Sequence, residues 1–318
     1  MALLTNAFHT FGATGNREDL TELLSNISPK EAPMYDAFGT TQARGTYHEW
    51  QTDELAAAAH NSKLEGETFT ASARTPTQRY GNYTMISLKM FTVTETQEVV
   101  NKAARGSEVA YQKAKALAEL KRDFEVCLVT AGASASAHAG ATDVPRRFDN
   151  VLLWVGKVKG HTGYSGMCTG DPNSILTGSW GTDHTADATI AEGTFNLILQ
   201  DIWDDGGMPN AVYVNGALKR VISGWGTSTS RVWTGEKRIT NVVDVYEGDF
   251  STVELKKDRH VFSSCAFILD ESMWRKSILI PAGEIPLARR GLGYDKMIRQ
   301  EWTIEARNPT ANGLLISA

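Results

Sequence analysis

At 318 residues the chain is long enough for one large domain or two ordinary ones. It is 42% hydrophobic and 22% charged, the proportions of an ordinary folded protein, with a formal net charge of −5. That acidic balance, without a Lys/Arg cluster, argues against tight nucleic-acid binding, and no apolar run reaches the roughly 20 residues that cross a bilayer.

Residues 1–52 read as an arm. The start, MALLTNAFHTFGATGNREDL, lacks a positive region followed by an apolar block, so no signal peptide is expected. Arg17 to Asn26 forms one short helix by its Leu20, Leu23 and Leu24 spacing. Pro29 and Pro33 then impose extended backbone. Four aromatics follow, Tyr35, Phe38, Tyr47 and Trp50, among Gly and Thr without a lasting period. A segment of this kind builds no core of its own and must lie against its own body or a neighbour. Tyr35 and Trp50 are therefore candidate inter-subunit contacts. His48 and Glu49 lack the second histidine that a helical HExxH zinc site needs, because Thr52 stands there.

Leu64 to Thr94 is expected to be a long hairpin. Its first half is polar, with Pro76 and Gly81. Its second half alternates Ile86, Leu88 and Met90 against Ser87, Lys89 and Phe91, the period of a strand. An isolated two-stranded ribbon is marginal in water, so the loop implies a partner surface. Arg74 and Arg79 near its tip suit carboxylates on another copy.

Asn101 to Thr130 is the longest helical stretch, free of Pro and, after Gly106, of Gly. Ala110, Ala114, Leu117, Leu120 and Phe124 recur at steps of three and four and predict one buried face. The small-residue loop ASASAHAGATDVPRRFDN follows, then a short buried segment, Val151 to Val155. The Gly-rich run to Gly181 matches neither a phosphate loop nor a nucleophile elbow. A second helix is expected from Asp187 as its cap, lined by Ile190, Leu197, Ile198 and Ile202 and stopped by Gly206-Gly207. Asp201, Asp204 and Asp205 gather at its end, where they serve a turn or a cation. Ala211 to Val214 reads as a strand and Ala217 to Ser223 as a helix. Strands follow in VVDVYEG, STVELKK, CAFILD and WRKSILIP, with Pro281 and Pro286 as breaks. The chain closes on an expected hairpin, with Ile298, Gln300, Trp302, Ile304 and Ala306 on one face and LLI returning after Asn312-Gly313. Cys127, Cys168 and Cys265 are odd in number and far apart, as reduced thiols would be. No catalytic, cofactor-binding or metal-ligating constellation emerges.

In order along the chain, REDL (17–20), ISPKEAP (27–33), HEWQTDEL (48–55), RYGNYTMI (79–86), TETQEVV (94–100), LKRDFE (120–125), GGMPNAVYVN (206–215), VDVYEGDF (243–250) and EWTIEARNP (301–309) resemble one podovirus-type branch of the tailed-phage major capsid proteins with the Hong Kong 97 fold. The resemblance implies an α+β fold: an N-terminal arm (1–52), an extended E-loop (53–97), a P-domain with the spine helix (98–150) completed by the C-terminal hairpin (285–318), and a mixed α/β A-domain (151–284). It implies a structural protein rather than an enzyme. Copies would form pentamers and hexamers of an icosahedral head around double-stranded DNA, without sequence-specific binding and without a membrane. A portal protein and, as a further option, a decoration protein would be partners. The chain would be assembled in the host cytoplasm into the virion capsid. The absence of a charged helical extension before the arm implies a separate scaffolding protein. Lys63 and Lys89 flank the loop rather than sit at its tip, so lysine cross-links are not expected. An encapsulin-type cellular shell is the alternative with the same fold, and a hydrolase using scattered acids is the alternative from another class.

Overall fold

The computed structural model describes residues 28–53, 55–56, 58–68, 74, 76–129, 138–156, 191–225, 244–262 and 265–316. The expected helix at 17–26, the Gly-rich run at 157–181, the Asp187 cap and Cys168 lie outside the described residues. Helices are α1 (Pro33–Ala37), α2 (Glu95–Val99), α3 (Glu108–Val129), α4 (Val151–Gly156), α5 (Glu192–Asp204) and α6 (Gly216–Trp225). Strands are β1 (Gly39–Gln42), β2 (Tyr47–Thr52), β3 (Gln78–Tyr83), β4 (Met85–Thr94), β5 (Ala211–Val214), β6 (Val245–Glu247), β7 (Thr252–Lys257), β8 (Cys265–Leu269), β9 (Trp274–Pro286), β10 (Gly293–Ala306) and β11 (Gly313–Ile316).

Two sheets organise these elements. The first runs β1-β9-β10-β4, the second β11-β8-β5-β7-β6, and β2 and β3 form a separate hairpin. The first sheet turns Trp274, Ile298, Trp302 and Ile304 toward α3 and α4. Strands β5 and β8 of the second sheet are buried on both faces, which is why AVYV and CAFIL read as unbroken apolar runs, whereas β7 alternates and β6 is exposed. Val212, Val214, Ala266 and Ile268 meet Phe195, Ile198, Ile202, Leu218 and Ile222 of α5 and α6. Tyr213, Phe267 and Leu269 on the opposite face join the core of the first sheet. One continuous apolar interior therefore links α3, α4 and both sheets.

The spine helix is shorter than its sequence stretch and turned relative to the expected face. It begins at Glu108, where the Glu98 carboxylate of α2 accepts the backbone N–H groups of Glu108 and Val109 at 2.8 and 3.1 Å. These are orphan donors of the first turn, and no local side chain reaches them as well. The buried line is Ala116, Leu120, Phe124, Leu128 and Val129. Ala110, Ala114 and Leu117 are exposed. Small residues satisfy a helical period on either side of a helix, so composition alone misplaced the stripe. In α5 likewise, Leu197 is exposed and Phe195 and Leu199 take its place in the core. Gly206 has φ +79 and stops that helix as expected.

Three strand expectations change. The hairpin of the loop is β2 with β3, in register from Tyr47↔Tyr83 to Thr52↔Gln78, whereas β4 lies in the first sheet against β10. Pro281 does not end its strand. It sits in β9 between register shifts opposite Arg299–Trp302, beyond the stretch paired with β1, where its missing N–H costs no ladder bond. The strand assigned by sequence to 151–284 thus belongs with β10 and β4. Finally, LLI does not return along β10. β11 pairs antiparallel with β8, so the expected terminal hairpin is replaced by a crossing into the second sheet.

Asn312 explains that crossing. Wholly buried, its Oδ1 accepts the backbone N–H of Asp270 at 3.0 Å and Trp274 Nε1–H at 2.9 Å, while Nδ2 donates to Asn308 O at 2.8 Å. It ties the turn between β10 and β11 to the turn between β8 and β9. Both turns carry the chain from one sheet to the other.

Candidate functional site

The surfaces of interest are those where the arm and the loop meet the body, and those they leave open. In α1, Ala32 occupies the cap position and supplies no side-chain acceptor, so PMYDA cannot terminate itself. The Glu125 carboxylate of α3 does so instead, accepting Met34 N–H at Oε1 (2.8 Å) and Tyr35 N–H at Oε2 (2.7 Å). At the other end, Lys276 of β9 donates to Tyr35 O at 2.5 Å and lies 4.2 Å from the Tyr35 ring centroid. The signs match the helix dipole at each end. Apolar packing completes the seat. Phe38 stacks on Trp274 with centroids 5.4 Å apart, and Tyr35 meets Trp302 edge-on at 5.6 Å.

The root of the β2–β3 hairpin is equally tied down. Trp50 Nε1–H donates to Ala306 O at 2.8 Å, and its ring packs on Trp154. Buried Asn82 accepts Asp149 N–H at 2.8 Å and donates to Ile304 O at 3.2 Å. His48 Nε2 stands 3.3 Å from Glu305 Oε2. Burial pushes the Glu305 carboxyl up, but hydrogen bonds from His48 and Arg307, with their charge, outweigh it and hold it at about 2.

The sequence-derived contacts therefore divide into two pairs. Tyr35 and Trp50 make contacts within their own chain: Trp50 is 8% exposed, and Tyr35, partly buried, accepts from Gln300 at its hydroxyl. Arm aromatics without a core of their own found the core of the same chain. Arg74 and Arg79 are exposed, and Arg79 Nε pairs with Glu49 at 3.2 Å across the hairpin.

Two open apolar surfaces stand out among the described residues. On β4, Ser87, Lys89 and Phe91 face inward; Ser87 Oγ accepts Trp302 Nε1–H and Lys89 pairs with Asp123 of α3 at 2.6 Å. The alternate residues Ile86, Leu88 and Met90 point the other way and are 51%, 52% and 47% exposed. In register, Met90 opposes Met297, which opposes Ile285, so the row widens across three strands. Beyond β4 no further strand pairs among the described residues. The second surface is the end of α5, where Trp203 (55% exposed) lies by Phe250 and Met208 (77% exposed) follows in the turn. The alternation along β4 was readable in sequence. Glu125 and Lys276 were not, because nothing near them in sequence needs a charge.

A long helix laid on a sheet, a rooted hairpin leading into an exposed segment, and a second α/β sheet at the far side define a shell subunit of the Hong Kong 97 type. The capsid protein of Cyanophage A-1(L) superposes with a TM-score of 0.63 at 12% identity, over 98% of this chain and 99% of that one. The capsid of a native GTA particle gives 0.63 at 9% identity, over 97% of each chain. The family model of the SU10 major capsid protein matches residues 5–318, and the chain belongs to that family. It is also 23% identical to the major capsid protein of Escherichia phage Phieco32, over 98% of this chain and 97% of the relative.

Proposed function

We propose that this chain is the wall subunit of a tailed-phage head, assembling through pentamers and hexamers into an icosahedral shell around double-stranded DNA. The observation that carries the reading is the row Ile86, Leu88 and Met90 on an open sheet edge, beside a segment, 53–77, whose described residues are all exposed. Exposed apolar residues in a contiguous row mark an interaction surface. Covering it with chain from another copy stabilises the assembly by about 25 cal/mol per Å² of apolar area. Contacts of that size become durable when every subunit has several partners. Heterologous contacts between identical chains close into rings, and Trp203 and Met208 at the end of α5 suit the centre of such a ring.

The division into arm (1–52), E-loop (53–97), P-domain (98–150 with 285–318) and A-domain (151–284) belongs to this reading, with β9 counted in the P-domain sheet. So do a separate scaffolding protein, a portal, a decoration protein, and assembly in the host cytoplasm. Arg74 and Arg79 act as loop contacts to carboxylates of the next copy. The net charge of −5 suits a container that does not grip its contents.

Electron microscopy and sedimentation of the full chain, produced with its scaffold, test the reading. Rings or closed shells are expected. A clean monomer at high concentration with scaffold present overturns it. Arg74→Ala with Arg79→Ala is expected to leave subunit unfolding unchanged while lowering the temperature at which shells fall apart.

A further inference from the structure

Arg299 of β10 stands in the middle of the open face of the first sheet. It lies opposite Leu88 of β4 on one side and Gly283 of β9 on the other. Residues directly opposite one another in a ladder share a face. Arg299 therefore emerges on the side of Leu88, Met90 and Met297, away from α3, while its chain neighbours Ile298 and Gln300 are buried. The side chain is half-buried, yet it makes no hydrogen bond or ion pair among the described residues. The two acids of β10 on the same face are already engaged. Glu301 accepts from Thr84 and Arg146, and Asp295 accepts from Thr92 and Arg290. Gly283 carries no side chain, and a Cβ there would meet nothing closer than Pro281 O at 3.7 Å, so the position opposite Arg299 is open. A guanidinium recessed among apolar side chains suits a carboxylate that arrives with apolar surface of its own, because screening by water is then weakest.

The exposed segment between β2 and β3 offers such a group. Leu64 to Glu67 close a tight turn, with Glu67 N–H donating to Leu64 O at 3.2 Å and Gly66 at φ +84 in the third position. Glu67 Oε2 accepts Leu64 N–H at 3.2 Å, so that carboxylate is engaged inside the turn. Glu65 is not. It is exposed, without a hydrogen bond or ion pair among the described residues, and it adjoins Leu64 at 80% exposure. The turn thus presents one apolar side chain and one free carboxylate side by side, on a backbone ordered before docking. Arg299 and Glu65 are complementary, and within one chain they do not meet.

We propose that the Leu64–Glu67 turn of one copy docks on the open face of the first sheet of a second copy, with the Glu65 carboxylate on Arg299 and Leu64 against Leu88 and Met90. This docking rests on the shell reading above and specifies which surfaces meet. Two parallel N–H donors of a guanidinium meet one carboxylate, which fixes orientation as well as sign. The turn and the receiving face are different patches of the same subunit, so each copy gives one contact and receives one, as a closed ring of identical chains requires.

Paired cysteines test it in particles assembled from the full chain with its scaffold. Glu65→Cys combined with Arg299→Cys, oxidised with diamide, is expected to give a ladder of linked chains on a non-reducing gel, above the background of either single variant. Arg299→Glu and Glu65→Arg are each expected to lower particle yield by about tenfold, and joining the two changes in one chain to restore it. Neither side chain is bonded within the subunit, so subunit unfolding stays unchanged. Glu65→Arg sits on an exposed turn and keeps the test decisive even where Arg299→Glu fails to fold. Shells from the unaltered chain, together with no ladder above background or a Glu65→Arg yield equal to the unaltered one, overturn the docking and leave the assembly reading standing. An unaltered chain that forms neither rings nor shells overturns both.

Discussion

The indole N–H of Trp50 and the carbonyl oxygen of Ala306 meet at 2.8 Å although 256 residues separate them. That bond fastens the outgoing strand of the loop to the last residue of β10. The aromatic ring beside it packs on Trp154 and lies 6.0 Å from the His48 ring. Replacing Trp50 by Phe keeps most of the apolar area but leaves a buried carbonyl unpaired. Denaturant unfolding of Trp50→Phe is expected to show a loss of about 1–3 kcal/mol, and Trp50→Ala about 3–5 kcal/mol.

Asn312 holds four partners with both of its amide atoms in the turn before β11: Asp270 N–H, Trp274 Nε1–H, Asn308 O and, more weakly, Pro309 O. Ala at this position strands the Asp270 and Trp274 donors together. Asn312→Ala should cost about 2–4 kcal/mol in thermal or chemical unfolding, well above an ordinary surface change. Wild-type stability in that variant would show that the crossing is held by β11 pairing alone.

Close approach of the backbone makes Gly207 a second sensitive point. A Cβ there would stand 2.6 Å from Ala311 Cα and 2.7 Å from Ile202 Cγ2. The first neighbour is main chain and cannot swing aside. Gly207→Ala is expected to destabilise by about 1–3 kcal/mol, read from the denaturation midpoint. Gly193 faces open space and serves as the neutral comparison.

Acid stability should depend on Glu305. Its carboxyl is held at about 2, so it favours the folded state above the unfolded carboxylate value and loses that contribution as pH falls through about 2. Glu305→Gln is expected to flatten the pH dependence of stability between about pH 4 and pH 2 and to lower stability at neutral pH by about 1–2 kcal/mol, after allowance for solvent screening. Unfolding free energies measured at a series of pH values separate the two effects.

Leu88 is half exposed in the middle of the β4 row. Leu88→Glu removes little from the subunit interior and should leave its unfolding curve within about 0.5 kcal/mol. Assembly, scored by particle yield, is expected to fall sharply. Normal shells from that variant would place the contact elsewhere.

Periodicity located most of the elements. The short runs AVYV and CAFIL, the segment VLLWV and the helix stopped by Gly206 were legible because their signals are local. What could not be read was pairing. YTMISLKMFTVT is a strand by its alternation, yet only the fold says that β10, not the polar half of the loop, lies beside it. LLI was a strand for the same reason, and its partner β8 was hidden by the same blindness. The candidate contacts show a related limit of reading. Tyr35 and Trp50 announced a need for company, but sequence does not distinguish company within a chain from company between chains. The long helix misled through alanine, which marks a buried stripe no better than an exposed one.

The chain passes between its two sheets twice within a short span, from β8 to β9 and again from β10 to β11, and Asn312 buckles the two straps together. A waist strapped and buckled this way resists torsion, since twisting one half against the other would shear both straps. Such a subunit behaves as a rigid tile. In the shell proposed above, differences in curvature are then taken up at its rims and not by flexing through the middle.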